Sequence, residues 1–345
     1  MTLSPGPRAT QWRSFVLSIL AAWILFLLAA PALAAPAALP TLRIDPKQVT
    51  VSGVSSGAFM AVQVHFAHSD VFTGIGAVAG GPYLCAEGTL LLANLRCMRG
   101  LQPVPVLRLA ARTRELARRG EIAPTAGLRH ARVFLFSGAQ DGTVKPGVVG
   151  ALAQFYLSFV APANLRLDRH PEAGHGMVTR GQGVDCHATS APYLNDCGLD
   201  LAGELLSHLH PGLTPPPRGA EAPNLVEFDQ APFAQTASLA PAGWLYLPAG
   251  CRQGAQGPAC RLHVVLHGCR QSAKEVGDTF VRLAGYNPWA EHNRIVVLYP
   301  QVGEALNSCW DWWGYDGDVY ATRAGTQVRA IRRMVDALVG EGGRR

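Results

Sequence analysis

Charge is scarce in this chain. Asp, Glu, Lys and Arg make up 16% of its 345 residues, against about a quarter in a typical soluble domain. Lysine is confined to Lys47, Lys145 and Lys274, so the formal balance of +6 rests on arginines scattered among acids. Their one denser stretch, Arg112, Arg114, Arg118 and Arg119, is interrupted by Glu115 and Ala117 and reads as a solvated helix face. Nucleic-acid binding needs a continuous basic face, and the sequence has none. No CxxC pair is present, which argues against a structural zinc site. The 37 glycines and 25 prolines follow no period, so collagen-like and low-complexity readings fail, and 48% hydrophobic residues exclude wholesale disorder.

What is present begins with a targeting segment. Arg8 and Arg13 precede an apolar run from Phe15 to Ala30, followed by Pro31-Ala32-Leu33-Ala34-Ala35. A basic stretch, an apolar stretch and a small-residue site spell a secretory signal over residues 1–34. The run is shorter than the roughly 20 residues of a membrane span, so no stable anchor is expected after cleavage. All eight cysteines lie beyond this segment. An even count in an exported chain reads as disulfides, although eight cysteines admit many connectivities. Pairing by nearness in sequence gives Cys85–Cys97, Cys186–Cys197, Cys251–Cys260 and the leftover Cys269–Cys309. An extracellular or periplasmic residence follows.

Along the mature chain short apolar runs alternate with helical patterns. Strands are expected at Val49–Ser52, Gly74–Ala79, Arg132–Ser137 and Leu165–Arg169, with helices at Ser56–His65, Val148–Phe159 and Gly198–His208. A breaker-rich stretch at about 211–223 then interrupts the pattern. Strands resume at Trp244–Leu247, Leu262–Leu266 and Ile295–Tyr299, with helices around Thr279–Glu291 and Thr322–Val339. This alternation indicates an α/β protein with a mostly parallel sheet covered on both faces.

Gly53-Val54-Ser55-Ser56-Gly57 is a GxSxG sequence between an expected strand and an expected helix, the context that lifts a serine hydroxyl off a sheet. Ser55 is the candidate nucleophile. A serine nucleophile needs a base, and the base needs an orienting carboxylate. Asp141 follows the strand Arg132–Ser137, and His175 follows the strand Leu165–Arg169 between two glycines. Serine, acid and histidine thus occur in the α/β-hydrolase order, each in a loop after a strand. Alone, Asp141 reads as a turn residue and His175 as a loop histidine; the ordered set makes both readings weak. His208 and His210 do not share a helix face, and His65 and His68 lack a third ligand, so no metal is expected.

Leu266-His267-Gly268-Cys269 follows an apolar strand and is similar to the esterase loop that supplies an oxyanion-binding N–H. That loop ordinarily precedes the nucleophile; here it lies beyond the histidine. Either the second half is a separate domain, or one hydrolase sheet has been circularly permuted with the Pro-rich stretch as the join.

Several longer motifs carry a specific resemblance. They are Leu266-His267-Gly268-Cys269-Arg270-Gln271, Gly285-Tyr286-Asn287-Pro288-Trp289-Ala290, Val297-Leu298-Tyr299-Pro300-Gln301 and Cys309-Trp310-Asp311-Trp312-Trp313-Gly314-Tyr315. In the first half, Gly53 to Met60, Ala79-Gly80-Gly81-Pro82-Tyr83, Gly174 to Thr179 and Ala191 to Cys197 match as well. The chain resembles the poly(3-hydroxybutyrate) (PHB) depolymerases of the circularly permuted, single-domain kind, over roughly Ile44 to Leu338. The resemblance implies one α/β-hydrolase domain over residues 35–345, with Ser55 as nucleophile, Asp141 as acid and His175 as base. It implies an oxyanion hole from the backbone N–H groups of Ser56 and Cys269. It also implies a Cys269–Cys309 disulfide that sets Trp310 beside the cleft as a polyester contact; the roles of Trp312 and Trp313 stay open.

Many extracellular relatives append a polymer-binding domain, and none is expected here. The implied activity is cofactor-free hydrolysis of a polyester or oligomeric hydroxyalkanoate by a monomer. The rival readings are a carboxylesterase for feruloylated or acetylated polysaccharide or small esters, and a non-catalytic polymer-binding protein.

Overall fold

The computed structural model describes residues 1–2, 36–220, 222–233, 236, 238–252 and 258–340. The secretory segment expected over residues 1–34 lies outside the described residues, apart from Met1 and Thr2. Among the described residues, no helix is long and apolar enough to cross a membrane.

Strand β1 (Ile44–Val54) runs into helix α1 (Ser56–Ala67) with Ser55 alone between them. β2 (Gly74–Val78), α2 (Val106–Arg118), β3 (Arg132–Gly138), α3 (Pro146–Tyr156) and β4 (Leu165–His170) follow. Three short strands, β5 (Met177–Thr179), β6 (Val184–Asp185) and β7 (Leu194–Asp196), form a small parallel sheet in the order β5-β7-β6. Helix α4 (Leu201–Leu209) closes this half. The second half contributes β8 (Leu225–Asp229), β9 (Ala242–Tyr246), β10 (Cys260–Leu266), α5 (Thr279–Leu283), α6 (Tyr286–Asn293), β11 (Ile295–Tyr299) and α7 (Thr326–Val339).

Strands of both halves share one eight-stranded sheet in the order β4-β3-β2-β1-β10-β11-β9-β8. Its members from β4 through β11 run parallel, while β9 pairs antiparallel with both β11 and the edge strand β8. β10 lies directly beside β1 with Leu266 opposite Gly53. The strand that leads to the His267-Gly268 turn therefore follows His175 in sequence yet neighbours the Ser55 strand in space. That is the permuted order; the reading of the second half as a separate domain fails.

The apolar runs explain the layering. β2 and β11 are buried at every residue, as strands covered on both faces must be. One core joins Val51, Val64, Leu152 and Ile331 under α1, α3 and α7. The other joins Val78, Leu205, Val265 and Trp289 under α4 and α6. Gly76 lets α4 approach, since a Cβ there would meet the Leu205 side chain at 2.4 Å. Arg112, Arg114 and Arg118 lie on the exposed face of α2.

Three sequence expectations shift. The helix expected around Thr279–Glu291 is two helices, because Gly285 at φ +91° breaks it between Leu283 and Tyr286. The last helix starts at Thr326 rather than Thr322, after Gly325 in an extended conformation. β8, which the sequence pattern did not reveal, is an edge strand with Val226 and Glu227 exposed, so it lacks a buried apolar run.

A buried polar chain crosses the α4–α6 face of the sheet. Gln48 Oε1 accepts from Arg261 Nε at 3.1 Å and faces His210 Nδ1 at 3.3 Å, so His210 carries its proton on Nδ1. Its Nε2 then accepts from the Thr50 hydroxyl at 2.8 Å. Thr50 in turn accepts from His263 Nδ1 at 2.7 Å, and His263 Nε2 accepts from Ser52 at 2.8 Å. Ser52 completes the chain by accepting from the Tyr286 hydroxyl at 2.9 Å. Each group satisfies its neighbour, as buried polar groups require. Burial lowers the pKa of His210 to about 3 and that of His263 well below the ordinary value, so both rings are neutral.

Candidate active site

Ser55 adopts φ 56° and ψ −122°, a left-handed conformation that costs a non-glycine residue about 1–3 kcal/mol. Its backbone is held on both sides. The Ser55 N–H donates to Val78 O at 2.9 Å, and its carbonyl accepts from the N–H groups of Ala58 and Phe59. The turn is possible only with small neighbours. A Cβ on Gly53 would lie 2.2 Å from Gly57 O, and one on Gly57 would lie 2.1 Å from Leu266 O. The GxSxG glycines are thus dictated by contact with the turn itself and with β10.

His175 Nε2 lies 2.9 Å from Ser55 Oγ, and His175 Nδ1 lies 2.8 Å from Asp141 Oδ2. The other Asp141 oxygen accepts from the N–H groups of Thr143 and Val144, each at 2.8 Å. An ionised carboxylate only accepts, so Nδ1 holds the histidine proton and Nε2 is left to accept the Ser55 proton. Asp141 and His175 are buried. The structure brings Ser55, His175 and Asp141 into one hydrogen-bonded line, at the ends of β1, β4 and β3.

The His175 turn is braced from below. Gly174 N–H donates to Cys186 O at 2.8 Å, Met177 N–H to Tyr193 O at 2.9 Å, and His175 N–H to Thr189 Oγ1 at 3.3 Å. Asn195, wholly buried, donates to Cys186 O and Ala188 O. The Cys186–Cys197 disulfide closes this segment.

The turn after β10 is fixed as firmly. Gln271 Oε1 accepts from Gly268 N–H at 2.8 Å, and its Nε2 donates to Pro192 O and Tyr193 O, both at 3.0 Å. One buried amide therefore ties this turn to the segment that braces His175. His267 accepts the Val302 N–H on Nε2 and donates from Nδ1 to Gly268 O at 2.7 Å. Burial lowers its pKa to about 4, which keeps that tautomer neutral. Ser56, the first residue of α1, precedes any intrahelical acceptor for its N–H. It lines the same cleft as Ser55, Gly268 and Cys269.

That cleft has a volume of about 390 Å³. Leu90, Asn94 and Met98 form one wall at helical spacing, and Phe59, Trp312 and Trp313 form another. Trp312 stacks on Phe59 with ring centroids 4.0 Å apart, and Trp313 stands edge-on to Trp312.

Trp310 is placed otherwise than the resemblance implied. It is fully buried, its indole N–H donates to His267 O at 3.0 Å, and it is absent from the cleft lining. The ring is consumed by packing beneath the turn, so the indoles that a substrate can meet are those of Trp312 and Trp313. The Leu90–Met98 wall lies in a stretch with no recognisable motif. Gln271 was visible within the Leu266–Gln271 motif, but nothing in the sequence gave its role.

The cysteines pair as Cys85–Cys97, Cys186–Cys197, Cys251–Cys260 and Cys269–Cys309, with no free thiol among the described residues. The one group among them with metal-ligand proximity, His170 with Cys186 and Cys197, has both sulfurs committed to a disulfide.

A mostly parallel sheet, a strained serine turn after its central strand, and acid and histidine at neighbouring strand ends together define an α/β-hydrolase fold. Comparison with known proteins narrows this class. No family model matches the chain. It is 47% identical over 310 residues to a poly(3-hydroxybutyrate) depolymerase of Delftia acidovorans, covering 88% of this chain and 62% of that protein. It is 33% identical over 340 residues to a polyhydroxybutyrate depolymerase of Talaromyces funiculosus, covering 93% of this chain and 98% of the relative. A solved PHB depolymerase complexed with an R3HB trimer superposes with a TM-score of 0.81 at 32% identity, covering 88% of this chain and 98% of that one. The chain belongs to the polyhydroxybutyrate depolymerase family. It spans 62% of the length of the Delftia relative.

Proposed function

We propose that the chain is an exported serine esterase that hydrolyses poly(3-hydroxybutyrate) or its oligomers, and that residues 37–340 work as one catalytic domain. The observation that carries this reading is the Ser55–His175–Asp141 line opening into a cleft walled by aromatic and aliphatic side chains. His175 takes the Ser55 proton as Oγ attacks the ester carbonyl, and Asp141 holds the imidazole tautomer and stabilises the imidazolium. The N–H groups of Ser56 and Cys269 receive the oxyanion, each worth on the order of 3 kcal/mol. His175 then gives that proton to the departing alkoxide oxygen, which leaves as a hydroxyl, and water, deprotonated in turn by His175, attacks the acyl-enzyme. No metal or organic cofactor takes part.

The polymer is apolar, and the cleft presents exposed apolar side chains to it. Leu90 and Leu306 line the cleft and are exposed. Such side chains give a solid surface something to hold. Four disulfides fit export to an oxidising compartment, and we propose a monomer with no membrane anchor after signal removal. The test of substrate class is a comparison of kcat/KM on a 3-hydroxybutyrate trimer and on a feruloyl ester. The trimer is expected to be preferred by at least an order of magnitude; preference for the feruloyl ester would overturn the reading.

A further inference from the structure

Arg270 is the only formally charged side chain in the cleft lining among the described residues. Its placement is costly and specific. Arg270 stands at φ 58° and its partner Asn307 at φ 54°, both left-handed. Asparagine tolerates that conformation, whereas arginine does so only under constraint. The Arg270 N–H donates to Asn307 O at 2.7 Å. Its guanidinium donates from Nε and Nη2 to Asn307 Oδ1 at 3.3 and 3.1 Å. The two residues flank the Cys269–Cys309 disulfide, so the cation is held next to the Cys269 backbone. No ion pair to Arg270 is formed among the described residues, and Nη1 has no protein partner there.

A polyester interior is neutral, so a cation in the cleft finds no ion-pair partner in a mid-chain ester. The one charge such a substrate carries is the carboxylate at its acid end, and every cleavage creates another. Guanidinium is the side chain best matched to a carboxylate, through two parallel N–H donors. Resting on the substrate reading above, we infer that Arg270 binds the terminal carboxylate of a hydroxybutyrate oligomer. The cleft thereby favours short acids over capped chains of the same length. Arg270 is exposed, so the effect is modest and screened by salt.

The test uses the 3-hydroxybutyrate trimer as its free acid and as its terminal carboxamide, which removes the charge and keeps every ester. The protein is expected to prefer the acid about five- to tenfold in kcat/KM, through KM, with the preference shrinking in 0.5 M salt (about that level). Arg270→Gln is expected to abolish the preference, and Arg270→Lys, which keeps the charge, to retain most of it. Equal kcat/KM for acid and carboxamide in the unaltered protein, or an unchanged ratio in Arg270→Gln, overturns the inference. So does loss of the ratio in Arg270→Lys to the same extent as in Arg270→Gln, because the Asn307 fork rather than the charge would then be responsible. Failure to cleave either trimer would instead overturn the substrate reading.

Discussion

The Trp310 indole donates to the carbonyl oxygen of His267 at 3.0 Å, from a position with no exposed surface. This bond fixes the peptide just before Gly268 and Cys269, the turn assigned to oxyanion binding. A polymer never meets the ring, so its loss cannot discriminate between substrates. Trp310→Phe removes the donor while keeping an aromatic ring. It is expected to lower kcat by about tenfold, the equivalent of a net hydrogen bond of 1–1.5 kcal/mol, equally on polymer and on a short soluble ester. A loss confined to the polymer would place Trp310 at the substrate after all.

Trp313 behaves oppositely. It lines the cleft and stands edge-on to Trp312 and beside Tyr315, with centroids 5.4 and 5.1 Å apart. Trp313→Leu keeps an apolar wall but shortens it. Steady-state kinetics are expected to show KM for a hydroxybutyrate trimer rising several-fold more than KM for a two-carbon ester. Equal changes would make Trp313 a packing residue only.

Gly57 packs directly against the backbone of Leu266 and His267. A methyl group there would lie 2.1 Å from Leu266 O and 2.4 Å from His267 O, neither of which is the end of a flexible side chain. Gly57→Ala must push α1 away from β10, which costs on the order of 3 kcal/mol and opens the gap between Ser56 and Cys269. Thermal unfolding and ester turnover should fall together. A variant of native stability and activity would contradict the close approach.

Acid sensitivity follows from the buried imidazoles. Burial lowers His65 and His210 to about 3, and His68 and His267 to about 4, from an ordinary value of 6.5. The unfolded chain takes up these protons below pH 6.5 and the native chain does not. Stability is therefore full above pH 6.5 and lost as pH falls toward 4. Each group contributes about 1.4 kcal/mol per pH unit, so four together approach on the order of 5 kcal/mol per unit near pH 5. Urea midpoints at pH 7.5 and 5.5 should differ sharply. Identical midpoints would mean that these rings are charged or solvated in the folded state.

Much of this architecture was legible because local patterns and chemistry coincide. β2, β3 and β11 are short apolar runs whose burial leaves few alternatives, and Ser55, Asp141 and His175 each follow a strand, His175 between two glycines. The Pro-rich join could not by itself say whether two domains or one lay on either side; only the pairing of Gly53 with Leu266 resolves that. Trp310 was misjudged for a related reason. Three clustered indoles share one sequence signal, and which of them is buried depends on the Cys269–Cys309 bridge and on an acceptor 43 residues away in the chain. The Leu90–Met98 wall has no motif, since a substrate wall needs only shape and apolarity.

The most direct test of the central claim is clearing of a poly(3-hydroxybutyrate) suspension by the purified mature protein beside its Ser55→Ala variant, with a soluble short-chain ester as second substrate. Clearing by the unaltered protein is expected, with turnover of both substrates reduced by a factor on the order of 10⁶ in the variant at unchanged thermal stability. Clearing that persists in Ser55→Ala would contradict the assignment of the nucleophile, and ester turnover without clearing would contradict the polymer as substrate.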